Sequence, residues 1–181
     1  MALLAQYSVC ATPGRRIVEV YDTDACLGDE AAMDAAESQV VAGNGYHLYL
    51  MSLQPDITVQ VAIRIWGTPP APPADAEGHT PITLESETGV LVVNQLERGP
   101  AGEMPLPRPG VYEGHAWWAG RQGAADYYDT FLAQDTEDWS TDKIRQYFEQ
   151  CPADERYVLD LAYTREPEPE PDEDEDQDEE F

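Results

Sequence analysis

The sequence predicts a mainly β fold: an antiparallel two-sheet β-sandwich with two or three short helices. Three observations predict it. Seven segments alternate apolar and polar residues with a period of two, the mark of a strand with one buried face. Gly, Pro, Asn and Asp punctuate the gaps between them. Helical spacing is confined to three short stretches. Taken in order, Arg16–Tyr21 (RIVEVY) reads as a short strand. Asp29–Ser38 is rich in Ala and acids, with acids first, which suits a helix N-terminus. Gly43-Asn44-Gly45 signals a turn into a strand over Tyr46–Leu53. Ile57–Trp66 is the clearest strand. It sets Ile57, Val59, Val61, Ile63 and Ile65 on one face and Thr58, Gln60, Ala62 and Arg64 on the other. Gln54-Pro55-Asp56 between these two strands predicts a hairpin connection.

A break with five prolines follows over Gly67–Pro81 and predicts a long, mobile loop. Ile82–Ser86 and Val90–Gln95 read as a strand pair linked near Thr88-Gly89. The stretch RGPAGEMPLPRPG, closing at Pro109-Gly110, reads as a second break. Val111–Trp118 is the next strand, and Arg156–Tyr163 the last, with Tyr157, Leu159, Leu161 and Tyr163 sharing a face. Two helices are expected between them, over Gly123–Gln134 and Thr141–Gln150. The second carries Ile144, Tyr147 and Phe148 as an apolar stripe, Ser140 or Thr141 as cap, and Pro152 as stop. The expected organisation is one sandwich-like domain over residues 1–165, with a helical insert at about 120–153, and a disordered acidic tail over 166–181.

Charge excludes several functions. The 181 residues hold 10 Lys+Arg against 36 Asp+Glu, for a formal charge of −26 and a pI near 4.1. The tail supplies 11 acids and no base, which leaves 25 acids, all 10 bases and a charge of −15 in residues 1–165. Binding to nucleic acid or to an anionic membrane needs the opposite balance. The start, MALLAQYSVC, lacks a basic region and a long apolar core, and a cytoplasmic location is expected. Cys10, Cys26 and Cys151 are odd in number and form no CxxC pair, so they read as reduced thiols. A single lysine, Lys143, with abundant Ala, Gly and Pro suits a bacterial or phage gene.

No catalytic constellation emerges, and neither cofactor nor metal is expected. His47, His79 and His115 are far apart; two lie in strands, where packed side chains are the usual reading. No HExxH, GxSxG, GxxxxGK[ST] or GxGxxG occurs. Asp22-Thr23-Asp24 fails the EF-hand test, with Leu27 at the glycine position, and reads as a solvated loop. Acids are so common that no carboxylate pair stands out for glycoside chemistry. One region does stand out. Tyr112, Trp117, Trp118, Tyr127, Tyr128, Phe131, Trp139, Tyr147 and Phe148 crowd together in sequence among acids. One reading is core and helix-on-sheet packing. The other is an acidic, aromatic binding face for a basic protein, since Trp and Tyr anchor interfaces. The candidate partner-binding residues are Trp117, Trp118, Asp126, Tyr127, Tyr128, Asp129, Asp135, Glu137 and Asp138, together with Asp172, Asp174, Asp176 and Phe181 of the tail.

Leu106, Pro109, Gly110 and Tyr112, then Glu155, Tyr157, Leu159 and Leu161, form a pattern over roughly residues 80–163 that is similar to the competence protein J family. That resemblance implies a β-sandwich and, for the family's namesake, inhibition of a DNA-entry nuclease. The insert over Gly120–Ala153 and the acidic tail depart from the compact namesake. The tail itself, acids over Asp172–Glu180 closing on Phe181, resembles the C-termini of bacterial and phage single-stranded-DNA-binding proteins, which dock on basic pockets of replication partners. The functional expectation is a non-enzymatic acidic protein that neutralises a basic partner, a nuclease, toxin or other nucleic-acid enzyme, by stoichiometric binding and nucleic-acid mimicry. The alternative is an accessory β-domain of a phage or regulatory assembly that docks through its tail or helical insert.

Overall fold

The computed structural model describes residues 1–169, and among these ten strands form two facing five-stranded sheets. In chain order the strands are β1 (Leu3–Ala11), β2 (Ile17–Asp22), β3 (Val41–Gly43), β4 (His47–Met51), β5 (Val59–Trp66), β6 (Gly78–Ser86), β7 (Val90–Gln95), β8 (Gly99–Pro105), β9 (Gly110–Ala119) and β10 (Arg156–Arg165). Helix α1 spans Glu30–Gln39, α2 Arg121–Leu132 and α3 Thr141–Glu149. One sheet runs β1-β5-β10-β9-β6 and the other β3-β4-β2-β7-β8. Every pairing is antiparallel but one: β10 lies parallel to β5, with Tyr157 opposite Val61 and Leu161 opposite Ile65.

Period-two alternation places the core. Val59, Val61, Ile63 and Ile65 of β5 meet Leu159 and Leu161 of β10, and from the facing sheet Val18, Val20, Leu48, Leu50, Leu91 and Val93. Helix α1 covers part of the second sheet's outer face, where Ala32 and Ala36 pack on Ile17, Ala42, Tyr49 and Met51. Its cap is Asp29, whose carboxylate accepts from Ala32 N at 3.0 Å.

Three strands lie where the sequence predicts none, each for a physical reason. The opening residues form β1, whose Ala5, Tyr7 and Val9 turn toward the core while the alternate positions are exposed. β3 is only three residues long, too short to show a period. β8 occupies a stretch read as a break, because Pro100 and Pro105 sit on an edge strand, where a missing N–H costs no ladder bond. The same rule explains β6, which starts at Gly78 inside the Pro-rich break and carries Pro81 on an edge of the other sheet. The remainder of that break is tied to the sheet: Ala76 packs against Trp117, Ala119 and Val158, and Asp75 bridges Arg156 at 3.2 Å.

One expected hairpin and the link of one expected strand pair are instead crossings between the sheets. Gln54-Pro55-Asp56 joins β4 of one sheet to β5 of the other, and Thr88-Gly89 likewise joins β6 to β7. Turn residues report a change of direction, not which sheet the next strand enters. Each crossing is held by a buried polar side chain. Gln54 Oε1 accepts from Asp56 N at 2.9 Å and Ile57 N at 2.6 Å, while Gln54 Nε2 donates to Ile57 O at 2.8 Å. At the other crossing Asp22 accepts from Ser86 Oγ, Thr88 N and Thr88 Oγ1. Asp22 is 1 % exposed, so the expected solvated loop is corrected. Burial opposes its charge, yet these hydrogen bonds outweigh burial and hold its carboxyl below the ordinary value. Replacing Gln54 with Leu strands the buried Ile57 N–H and the Ile57 carbonyl and frees the half-buried Asp56 N–H, and the expected loss is roughly 2–5 kcal/mol in a urea melt. A loss below about 1 kcal/mol would show that the crossing does not depend on this side chain.

Candidate partner-binding surface

The insert between β9 and β10 is a two-helix arm. Gly120 opens it at φ +73°, and a Cβ there would strike the Asp154–Glu155 backbone, so both roots of the arm meet in backbone contact. Arg121 Nε donates to Met51 O at 2.9 Å beside them. Ser140 caps α3, accepting from Lys143 N at 3.1 Å, and Asp142 occupies the first turn. The helices hold each other through rings. Tyr127 stacks on Tyr147 with centroids 4.6 Å apart, Phe131 meets Phe148 edge-on at 4.7 Å, and Trp139 closes on both Phe131 and Tyr147. Tyr127 OH donates to Tyr147 O at 2.6 Å. Lys143 Nζ lies 4.0 Å from the Trp139 centroid. Tyr128 packs its ring beside Phe131 and Phe148 and donates its hydroxyl to Asp56 Oδ2 at 2.8 Å; burial and that carboxylate push its phenol up to about 12.

The structure therefore divides the aromatic run. Tyr127, Tyr128, Phe131, Trp139, Tyr147 and Phe148 belong to the arm. Trp118 and Tyr112 lie in the sandwich core, and Trp117 lies on the outer face of the first sheet. Trp117 and Trp118, offered as partner-binding residues, are buried and present no binding face. Adjacent strand residues point to opposite faces, which is why sequence proximity misleads here. Asp126, Asp129, Asp135, Glu137 and Asp138 are exposed on the arm, whose residues 121–150 carry seven acids and three bases, net −4. Asp172, Asp174, Asp176 and Phe181 lie outside the described residues.

Acid is not confined to the arm. Glu30, Asp34 and Glu37 are exposed on α1 with no base beside them in that helix. Five carboxylates of residues 1–165 are buried instead: Glu19, Asp22, Glu85, Glu155 and Asp160. Asp160, fully buried, is gripped by Arg64 through two bonds of 2.7 and 2.8 Å, and by the indoles of Trp66 and Trp117 at 2.7 and 2.9 Å. Burial raises its pKa, but these donors prevail and the net shift is downward. Glu19 receives Asn94 Nδ2 at 2.6 Å and lies 3.1 Å from His47 Nε2, with the His47 ring stacked between Tyr21 and Tyr49. Glu155 takes Ser52 Oγ at 2.6 Å, Tyr157 OH at 2.7 Å and Gln54 Nε2 at 3.0 Å. There burial dominates and lifts the Glu155 carboxyl above its ordinary value. Sequence reading missed all five as structural groups; mid-strand acids opposite a polar-face Arg, as with Asp160 and Arg64, were the available signal.

Among the described residues no group of three His, Cys, Asp or Glu side chains is arranged to hold a metal, and no helix is long and apolar enough to cross a membrane. Cys10, Cys26 and Cys151 are free thiols.

These features define a two-sheet β-sandwich with acid on its surface and an arm inserted before its last strand. No family model and no curated protein matches the chain. Among solved structures it is similar to ComJ, inhibitor of the DNA degrading activity of NucA, from Bacillus subtilis, with a TM-score of 0.56 and 9 % identity over 90 % of this chain and 98 % of that one. It also matches the crocagin biosynthetic gene J product at a TM-score of 0.49 and 14 % identity, over 91 % of this chain and 100 % of the other. The likeness to ComJ shows a shared fold, in agreement with the resemblance carried by the 80–163 pattern.

Asp160 and Glu155 set opposite pH dependences. A carboxyl whose pKa falls on folding stabilises the fold above its unfolded pKa, and that contribution disappears as pH drops through the folded value. A carboxyl whose pKa rises on folding favours the fold at low pH and loses that contribution as pH climbs from the unfolded to the folded value. Melts across the acidic range up to neutral pH should therefore show the Asp160→Asn deficit growing with pH. Wild type should lose ground to Glu155→Gln over the same climb. Parallel profiles for all three proteins would contradict both assignments.

Proposed function

We propose that this chain is a non-enzymatic inhibitor that binds a basic nuclease stoichiometrically and blocks its cationic cleft with carboxylates standing where phosphates would lie. The fold shared with an inhibitor of a DNA-degrading nuclease, over nearly the whole of both chains, carries this reading. The charge of −15 in residues 1–165 supports it, because opposite fields speed encounter and suppress wrong partners. The exposed acids of the arm, Asp126, Asp129, Asp135, Glu137 and Asp138, are the proposed contact set, and the acids of residues 166–181 add long-range attraction.

The test is a DNA-cleavage assay with a NucA-type nuclease titrated by this protein at low and moderate salt. Cleavage should stop at one equivalent. Converting Asp126, Asp129, Glu137 and Asp138 to amides should slow association about tenfold at low salt, with the difference shrinking as salt rises. A chain cut after residue 165 should still inhibit. Undiminished cleavage at a large molar excess of inhibitor would overturn the reading. Inhibition lost on truncation alone would transfer it to the tail.

A further inference from the structure

Helix α3 is amphipathic, yet none of its residues is buried. Beside it, between the arm and the end of the sandwich, lies a groove of about 400 Å³. Ile144 and Phe148, one helical turn apart, form its apolar wall, and Thr12 and Thr58 line its opposite side. Thr12 is 8 % exposed and is fixed by its backbone N–H, which donates to Gln95 Oε1 at 2.8 Å. The groove also carries charge. Arg145 is neutralised by Asp142 at 2.5 Å. The lining itself balances Asp56 and Glu149 against Arg98 and Arg145, and Asp142, outside the lining, tips the groove and its surroundings to a net negative rim; Glu149 and Arg98 have no ion-pair partner among the described residues. The volume falls in the range of pockets that take one side chain or a small ligand, and an apolar wall with a few polar groups is how such pockets are built.

The geometry points to this groove as an anchor site for a segment of a cationic protein, one that inserts an aromatic or branched aliphatic side chain between Ile144 and Phe148 and sets a flanking Lys or Arg against Glu149 and Asp56. The inference rests on the inhibitor reading and deepens it: the arm's acids steer, and the groove holds. Charge complementarity selects the occupant, since a net negative rim on a chain of charge −26 disfavours an acidic segment. Hot spots of this kind, an apolar side chain enclosed by a polar rim, dominate the energy of protein interfaces.

Two measurements test it. In the first, isotope-labelled protein is titrated with the capped peptide Lys-Phe-Lys and with capped Lys-Ala-Lys as control. Amide shifts should move at Thr58, Ile144 and Phe148 with the first peptide and not with the second. Equal shifts with both peptides, or shifts confined to other surfaces, overturn the inference. In the second, Ile144→Glu and Thr58→Trp are compared with wild type against the nuclease. The first adds one acidic charge, so weaker binding cannot come from lost attraction, and it spoils the apolar wall; the second fills the groove from an exposed position on the sandwich. Each should weaken inhibition about thirtyfold, with the melting temperature and far-UV spectrum reporting that the arm is intact. Should Ile144→Glu unfold the arm, Thr58→Trp decides alone. Wild-type strength in Thr58→Trp overturns the groove. A wild-type protein that fails to stop cleavage but still seats the Phe peptide in the groove overturns the inhibitor reading and leaves the anchor site standing.

Discussion

The buried carboxyl of Glu155 is the point on which the architecture turns. It lies where the β4–β5 crossing, the roots of the arm and the start of β10 converge. Ser52 and Gln54 reach it from the crossing and Tyr157 from the strand, while Arg121 anchors to Met51 O beside them. Tyr157 OH also lies 3.0 Å from Met51 O, so β4 and β10 share one polar cluster although they belong to different sheets. An unpaired polar group at such depth costs several kcal/mol. Each partner therefore has one acceptable position, and the cluster fixes how one sheet hands the chain to the other.

The acid of this chain does two kinds of work, and burial separates them. Glu19, Asp22, Glu85, Glu155 and Asp160 are internal fittings that satisfy backbone groups, indoles and guanidinium. They offer a partner no direct contact, although their charge still counts in the long-range field. The surface field comes from exposed positions such as those of α1 and the arm. Arginine is divided in the same way: Arg64 is fixed to Asp160, and Arg156 lies between Asp75 and Asp154 with Trp117 beneath it.

Much of the fold was legible in the residues. Alternation over Ile57–Ile65 and Tyr157–Tyr163 named the faces that the core uses, and Ser140 with the Ile144, Tyr147 and Phe148 stripe outlined α3. The sheet in which each strand lies was not legible, because Gln54-Pro55-Asp56 reads the same whether the next strand pairs back or crosses over. Proline misled at Pro81, Pro100 and Pro105, since the residue type does not reveal an edge position. The candidate surface was half legible. The acids Asp126 and Asp129 are exposed on α2, as charged helix positions commonly are. Trp117 and Trp118 did not, because composition cannot show that the first stacks under arginines while the second fills the core. The Asp56 partner of Tyr128 is 72 residues away in sequence, beyond the reach of any local pattern.

The parallel pairing of β10 with β5 has a kinetic side. β10 is the middle strand of its sheet, flanked by β5 and β9, yet it is the last of the described strands to be synthesised. Until residues 156–165 leave the ribosome, β5 has only β1 as a neighbour and β9 has only β6, so the sheet exists as two separate ribbons. Joining strands so far apart along the chain makes assembly slow, and each ribbon meanwhile exposes an apolar face and an unpaired edge.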